Sequence, residues 1–208
     1  MQDFYRVWNN VLRIMILTRQ DLHYYIKADF EAQEMTHPLM ARFTYGENWA
    51  MFKYMKTLRK LEYYESTSSN YIHRVLRCYY LLKHRRQALK YNMYIYPNVV
   101  GEGLKIIHPG FRRIDRVVKS LGKNCTILPM VLFGKKTPDT PSRCITVGDN
   151  CYFGTGCTIL GPVRIGNNVI VGAGAVVTKD IPDGCVVAGV PARIINRDDN
   201  MSHFVKGT

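Results

Sequence analysis

The chain has 208 residues, and its hydrophobic fraction of 47% and charged fraction of 22% are those of an ordinary folded protein, which argues against disorder. No apolar run approaches the roughly twenty residues of a transmembrane helix, and no signal-peptide pattern is present, so we expect a cytoplasmic protein. The net charge of +13 favours anionic partners such as phosphates, nucleic acid or a membrane surface.

Residues 1–92 are predicted to form a helical region. Apolar residues recur at three- and four-residue spacing over 4–15 and 49–64, as on the buried face of amphipathic helices, and His37-Pro38 indicates a loop between them. A third helical stretch, 71–91, lies in a segment without any acidic residue between Glu65 and Glu102. The basic stretch suits phosphates, nucleic acid or an anionic membrane surface, although a helix face exposed to water is the simpler explanation.

A six-residue period begins after this region and is clearest from Val147. One apolar series consists of Val147, Phe153, Ile159, Ile165, Val171 and Val177. A second follows each member by four residues and consists of Cys151, Cys157, Val163, Val169, Ala175 and Ile181. This period fits neither a helix nor a simple alternating strand, and it predicts a solenoid over residues 93–196, followed by a tail at 197–208. Glycines after several large residues indicate corners with unusual backbone angles.

The stretch 165–195, IGNNVIVGAGAVVTKDIPDGCVVAGVPARII, resembles the closing coils of the hexapeptide-repeat acyltransferases, especially serine acetyltransferases and sugar O-acetyltransferases. The resemblance covers about residues 94–196 and implies a left-handed parallel β-helix, here preceded by the α-helical region. It also implies homotrimers, which the helical region could join in pairs.

The same resemblance implies acetyl-CoA as the acyl donor, bound in a groove between neighbouring β-helices. The backbone of Gly154, Gly172 and Ala173 would lie along the pantetheine arm. Lys179 and Arg193 would lie near the nucleotide phosphates, where a positive charge is useful.

Acetyl transfer from a thioester to a hydroxyl needs a base, and histidine has a suitable pKa for this role. Of the six histidines, only His108 lies in the repeat region. Its segment, GLKIIHPG over 103–110, is similar to the one that contains the catalytic histidine of the family, so His108 is the predicted general base. No cluster of His, Asp or Cys has the spacing of a metal site, and no metal is predicted.

Two departures from the family pattern bear on the acceptor. Serine acetyltransferases commonly have Asp before this histidine and another early in the coil, where this chain has Ile107 and Tyr94. We therefore expect His108 to lack its orienting carboxylate, and we favour a sugar hydroxyl, as in surface polysaccharide synthesis, over serine. A serine O-acetyltransferase remains the first alternative. A non-catalytic β-helix scaffold or a basic binding module is the second, although no nucleic-acid motif accompanies the charge.

The segment 134–146 interrupts the period and, by resemblance, is an extended loop over the acceptor site. Arg143 in this segment, and Arg112, Arg113 and Asp115 shortly after His108, are the candidate contacts to an acidic or phosphorylated acceptor.

Overall fold

The computed structural model describes residues 15–35, 37–67 and 70–197. The helix predicted over 4–15 and the tail at 197–208 lie almost wholly outside these residues. The described helices are α1 (Arg19–Ala32), α2 (Pro38–Thr44), α3 (Glu47–Ser66) and α4 (Tyr71–Tyr91). None of them is long and apolar enough to cross a lipid bilayer.

Short strands follow the helices. They are β1 (Met93–Ile95), β2 (Lys105–Ile106), β3 (Arg112–Ile114), β4 (Val118–Leu121), β5 (Thr126–Ile127), β6 (Val131–Lys135), β7 (Ile145–Val147), β8 (Tyr152–Phe153), β9 (Thr158–Gly161), β10 (Val163–Ile165), β11 (Ile170–Val171), β12 (Val176–Val177), β13 (Cys185–Ala188) and β14 (Arg193–Arg197).

Two of the four helices coincide with the predicted helical stretches, and two do not. α1 is largely polar, and its start is marked by a capping box between Thr18 and Asp21, which satisfies free N–H groups of the first turn. α2 begins at Pro38, where the sequence predicts a loop. Proline is well suited to the first helical position, because its backbone angle is already helical and its missing N–H is not needed there.

The strands form a three-sided parallel coil. Its sheets have the orders β1-β3-β6-β9-β12, β4-β7-β10 and β2-β5-β8-β11-β13-β14, and only β14 is antiparallel to its neighbour. Ile145 pairs with Val163, which lies 18 residues further along the chain, so one turn of the coil contains three hexapeptides. All residues of the two apolar series are buried, which confirms the predicted solenoid core.

An insertion interrupts this spacing between β6 and β7. Leu132 pairs with Thr158, which lies 26 residues later instead of 18. β6 continues through Lys135, which pairs with Gly161, and β7 begins at Ile145. The extra loop therefore occupies residues 136–144, a shorter range than the predicted 134–146.

The glycines that follow the large core residues are required by close stacking and not by unusual backbone angles. A Cβ atom on Gly122 would lie 2.4 Å from the carbonyl oxygen of Gly148 in the next turn. The left-handed conformation occurs at other positions of the coil, at Gly156 and at Asn124, Asn150 and Asn168, with φ of 53°, 55° and 55° for the asparagines. Asparagine tolerates this conformation better than most residues with a side chain.

The helical region packs directly on the first turn of the coil. A single hydrophobic core runs from Met51, Met55 and Leu58 of α3 into the interior of the coil. At the same boundary, the backbone N–H of Ile95 donates to the hydroxyl of Tyr54 at 3.0 Å. α3 therefore covers the open end of the hydrophobic coil interior.

His84 of α4 is buried at this boundary, with its ring 5.1 Å from that of Tyr54 and 5.6 Å from that of Tyr94. Burial, with a smaller effect of the neighbouring Arg85, lowers the pKa of His84 to about 4. Protonation of the unfolded chain therefore destabilises the fold as the pH falls from about 6.5 to about 4.

We predict that His84→Phe makes the free energy of unfolding less dependent on pH in this window. A shift of one pKa unit corresponds to about 1.4 kcal/mol. The free energy of unfolding of the wild type should therefore fall by up to about 3 kcal/mol more than that of the variant between pH 6.5 and 4. Urea unfolding at a series of pH values measures this difference. Parallel pH profiles for the two proteins would contradict the prediction.

Candidate functional site

His108 lies two residues beyond β2, at the edge of the coil. Its backbone has φ of 54°, which is in the left-handed region. Its side chain is 67% exposed. The strand before it is held to the next turn, since the N–H of Ile107 donates to the carbonyl of Ile127 at 3.2 Å. A rigid strand therefore presents an accessible imidazole, as a general base requires.

The imidazole does have a carboxylate partner, contrary to the sequence-based expectation. Nδ1 of His108 lies 2.7 Å from Oε2 of Glu47, the first residue of α3. Because a carboxylate only accepts, the proton of the neutral ring belongs on Nδ1, and Nε2 is free to accept another. The orienting group thus comes from the helical region and not from the coil.

Sequence reasoning missed Glu47 because it is 61 residues away from His108. An acidic residue in the first turn of a helix is also common for a different reason, since it interacts favourably with the helix dipole. Its position in the sequence therefore carried no sign of a catalytic role.

A chain of hydrogen bonds holds the two sides of the site together. The side-chain amide of Asn48 donates to the carbonyl of Gln33 at 3.2 Å, and the Gln33 amide donates to the carbonyl of Leu104 at 3.2 Å. Next to them, Lys105 of β2 forms an ion pair with Glu34 at 2.5 Å. The start of α3, the end of α1 and the strand that leads to His108 are thus joined.

A second connection lies deeper. The side chain of Arg59 in α3 is fully buried and contacts Asp29 of α1 at 2.7 Å and Glu62 at 3.0 Å. Its guanidinium also donates to the carbonyls of Val100 and Gly101, at 2.8 and 2.6 Å. Burial alone would lower the pKa of Arg59, but the two carboxylates raise it above its usual value.

Asp29 completes this connection, which we call the Arg59 clamp (Asp29, Arg59 and Glu62 with the backbone of 100–104). It accepts hydrogen bonds from the N–H groups of Gly103 at 3.0 Å and Leu104 at 3.3 Å. The loop that precedes β2 is therefore fixed to both α1 and α3 within seven residues of His108.

Arg112 corrects a sequence-based prediction. It was a candidate acceptor contact, but the residue is only 1% exposed and its guanidinium donates inward to backbone carbonyls. One bond goes to Leu128 at 3.1 Å, and others go to Ile107 and Gly110, which flank the His108 segment. Burial lowers the pKa of Arg112 to about 10. Arg112 therefore positions the His108 backbone and does not face an acceptor.

The other candidate acceptor contacts are at the surface. Arg113 and Asp115 form an ion pair with each other at 3.2 Å, and the Arg113 guanidinium lies 5.9 Å from the centre of the Tyr94 ring. Arg143 is exposed at the end of the inserted loop, where its N–H donates to the carbonyl of Arg116 at 2.8 Å. No contact brings these three side chains to His108 within the described residues.

The residues predicted to bind acetyl-CoA lie in the last turns of the coil. A Cβ atom on Gly154 would be 2.6 Å from the backbone nitrogen of Ala173, so Gly154 allows these turns to stack. Lys179 and Arg193 are exposed. The N–H of Ala192 donates to the carbonyl of Val176 at 2.8 Å, which places Arg193 beside the strand that leads to Lys179.

A pocket of about 310 Å³ opens next to the carboxylate of the site. Its walls come from the end of α1, from α2 and from the start of α3, and they include Glu34, His37, Met40 and Glu47. Neither lysine nor arginine is among the residues that line it. Across the described part of the chain, no group of three or more His, Cys, Asp or Glu side chains could hold a metal ion.

The family comparison matches the coil. Residues 144–179 match the model of the bacterial transferase hexapeptide, described as six repeats. Residues 144–179 of the coil form a hexapeptide-repeat region. This region contains the residues predicted to contact acetyl-CoA at Gly154, Gly172 and Ala173, whereas His108 precedes the matched stretch.

Two relatives share about a third of the matched residues. The chain is 35% identical over 118 residues to a serine acetyltransferase of Synechococcus elongatus, and this match covers 56% of this chain and 48% of the relative. It is 35% identical over 102 residues to galactoside O-acetyltransferase of Escherichia coli, and this match covers 44% of this chain and 50% of the relative. The matches thus span about half the length of these curated relatives.

Solved structures extend the similarity to the helical region. The chain aligns with a serine acetyltransferase from Brucella abortus in complex with coenzyme A over 92% of its length and 73% of that chain, with a TM-score of 0.67 and 21% identity. The chain also aligns with a soybean serine acetyltransferase in complex with serine. This alignment covers 84% of this chain and 69% of the soybean chain, with a TM-score of 0.63 and 26% identity. The helical region and the hexapeptide-repeat region together therefore have the fold of these enzymes.

We predict that Arg112→Leu strongly destabilises the protein. The substitution removes the donors to three part-buried backbone carbonyls, and a hydrogen bond from a charged group contributes about 1.5–3 kcal/mol, so the free energy of unfolding should fall by about 3 kcal/mol. The matched control is Arg113→Leu, whose exposed side chain should change stability by less than about 1 kcal/mol. Urea unfolding compares the two, and equal losses would contradict the assignment of Arg112.

Proposed function

We propose that the chain is an acetyl-CoA-dependent O-acetyltransferase that transfers an acetyl group to a sugar hydroxyl, with His108 as the general base. The contact that carries the proposal is the one between His108 Nδ1 and Glu47 Oε2 at 2.7 Å. This contact leaves the exposed Nε2 as the proton acceptor, beside a hexapeptide-repeat region of the kind found in acetyltransferases.

The chemistry requires one proton to move twice. As the acceptor oxygen attacks the thioester carbon, Nε2 of His108 takes the hydroxyl proton, and Glu47 stabilises the imidazolium that results. The carbon–sulfur bond then breaks, and the imidazolium returns the proton to the sulfur of coenzyme A. The products are the acetyl ester and free coenzyme A, and the histidine is neutral again.

The acyl donor and the assembly are proposed by analogy with the hexapeptide-repeat acyltransferases. We propose that acetyl-CoA lies along the last turns, with the backbone of Gly154, Gly172 and Ala173 beside its pantetheine arm and with Lys179 and Arg193 beside its phosphates. The proposal includes a left-handed coil and a homotrimer acting in the cytoplasm, with the donor between neighbouring coils. The coenzyme A complex of the Brucella abortus relative supports this type of ligand.

The pocket beside Glu47 suits an acceptor that carries hydroxyl groups. Its lining includes the carboxylates of Glu34 and Glu47, which are paired with Lys105 and His108, together with Met35 and Met40. Sugar hydroxyls can donate to carboxylate oxygens that remain accessible and pack on the two methionines. Sugars of surface polysaccharides are the class to test first.

Serine is the second candidate acceptor, because the named relatives include serine acetyltransferases and one solved neighbour contains serine. The two acceptors are distinguished by release of free thiol from acetyl-CoA in the presence of L-serine or of a panel of sugars. We expect release with a sugar and its loss in His108→Ala by at least about a hundred-fold. Release with serine alone would replace the sugar proposal. Full activity of His108→Ala would remove His108 from the mechanism, and binding of acetyl-CoA without turnover would favour a scaffold.

We further predict that Glu47→Ala lowers kcat/KM by roughly ten- to a hundred-fold, because the imidazole loses the group that orients it. Glu31→Ala serves as the control, since Glu31 is an exposed carboxylate that pairs with Lys27 at 3.8 Å in the same helix. It removes the same charge and should leave kcat/KM unchanged. Equal activities of the two variants would exclude Glu47 as the partner of the base.

A further inference from the structure

α4 presents large apolar side chains to solvent along one side. Tyr71, Ile72, Val75, Tyr79, Leu82 and Leu89 are between 49% and 84% exposed. From Ile72 to Leu82 the spacing alternates between three and four residues, which places these side chains on one face of the helix. The opposite face, with His84 and Tyr91, is buried against the rest of the protein. An exposed apolar stripe of this length indicates a surface that binds something.

Basic residues surround this stripe. α4 contains Arg74, Arg77, Lys83, Arg85, Arg86 and Lys90. The helix itself contains no acidic residue, and Glu65 at the end of α3 lies near one of these cations, Arg77. Long basic side chains can lay their methylene groups along apolar surface while their charges reach outward. The combination is typical of helices that lie in the interface of an anionic bilayer.

α2 extends the same surface. Its Leu39, Met40 and Phe43 are 71%, 66% and 87% exposed. Tyr45, the residue after α2, lies with its ring 5.2 Å from Nζ of Lys90 and shares a hydrogen bond of 3.2 Å with Tyr91. The short helix is therefore adjacent to the C-terminal end of α4.

Positive charges are also concentrated where α2, α3 and α4 meet. Partial burial and the charges of Lys60, Lys83 and Arg42 lower the pKa of Lys56. Such crowding costs free energy in the isolated protein, and neighbouring anions would relieve it.

We propose that the exposed faces of α2 and α4 dock on the surface of an anionic lipid bilayer. The charge of α4 favours a lipid bilayer over a second copy of the chain as the binding partner of this surface. Two α4 helices brought together would bring the basic residues of both close to one another without an acid in either helix, whereas anionic headgroups neutralise these residues. The apolar stripe then enters the boundary between headgroups and acyl chains.

The docking surface borders the candidate acceptor pocket, and this further step rests on the proposed function. Met40, Ala41 and Thr44 of α2 line the pocket that ends at Glu47. A protein docked through α2 would therefore hold its acceptor pocket at the bilayer surface, where lipid-linked sugars are found. Binding to vesicles can be measured without turnover, so failure of one proposal is distinguishable from failure of the other.

The test is flotation of the full chain with vesicles of phosphatidylcholine alone or with roughly a third phosphatidylglycerol. We expect binding to the anionic vesicles only, and weaker binding as salt is raised. Arg85→Gln/Arg86→Gln should weaken partitioning roughly thirty-fold, since each cation near the surface contributes roughly five-fold. Lys135→Gln/Lys136→Gln removes the same charge from the coil and its inserted loop, and should bind as the wild type does.

A second variant tests the apolar stripe separately from charge. Leu82→Ser/Leu89→Ser should also lose binding to anionic vesicles while keeping the wild-type circular dichroism and the wild-type mass in sedimentation. A smaller assembly for this variant, together with no vesicle binding by the wild type, would assign the stripe to a second copy of the chain. Equal binding to neutral and anionic vesicles, or equal losses in the two charge variants, would also overturn the proposal.

Discussion

The guanidinium of Arg59 is removed completely from water, and its interactions determine how the helical region sits on the coil. Burial of a charged group is tolerated only when other polar groups replace its hydration. Here Asp29, Glu62 and two backbone carbonyls do so, and they come from α1, α3 and the loop before β2. Loss of one partner from such a network typically costs about 3–5 kcal/mol, so alternative placements of the helices on the coil are strongly disfavoured.

The candidate site depends on this placement because its two central groups belong to different regions. His108, the proposed base, projects from the coil, and the carboxylate of Glu47 comes from the first turn of α3. Neither position alone predicts a site. The aspartates expected from the family pattern are replaced by Ile107 and Tyr94, while Glu47 supplies a carboxylate from another direction. The imidazole of His108 is thus paired with a carboxylate although both aspartates of the family pattern are absent.

The coil could be predicted from the sequence because its period is a direct consequence of its geometry. Every sixth residue returns to the interior, so the spacing of Val147 and its successors is enough to identify the core. α1 could not be predicted in the same way, because capping and the buried Asp29 hold it in place more than an apolar face does. α2 was missed because Pro38 indicates a loop and a helix start equally well.

The site was less predictable than the fold. His108 was identified through a resemblance, and Glu47 could not be, since the contact joins residues that are distant in sequence. Arg112 was assigned to the surface because arginines are rarely buried, and only the three-dimensional contacts reveal the carbonyls that it satisfies. Exposed residues such as Lys179 and Arg193 keep the role that the resemblance suggested, as a proposal.

The central claim is that the Arg59 clamp aligns Glu47 with His108, and a double-mutant cycle tests it most directly. Asp29→Asn weakens the clamp while keeping an acceptor for the N–H of Gly103. The cycle measures kcat/KM with the active acceptor, and each variant must be shown to be folded at the assay temperature. Glu47→Ala should lower kcat/KM far less in the Asp29→Asn background than in the wild type. The same fold-loss in both backgrounds would show that the clamp and the catalytic pair are independent, which contradicts the account.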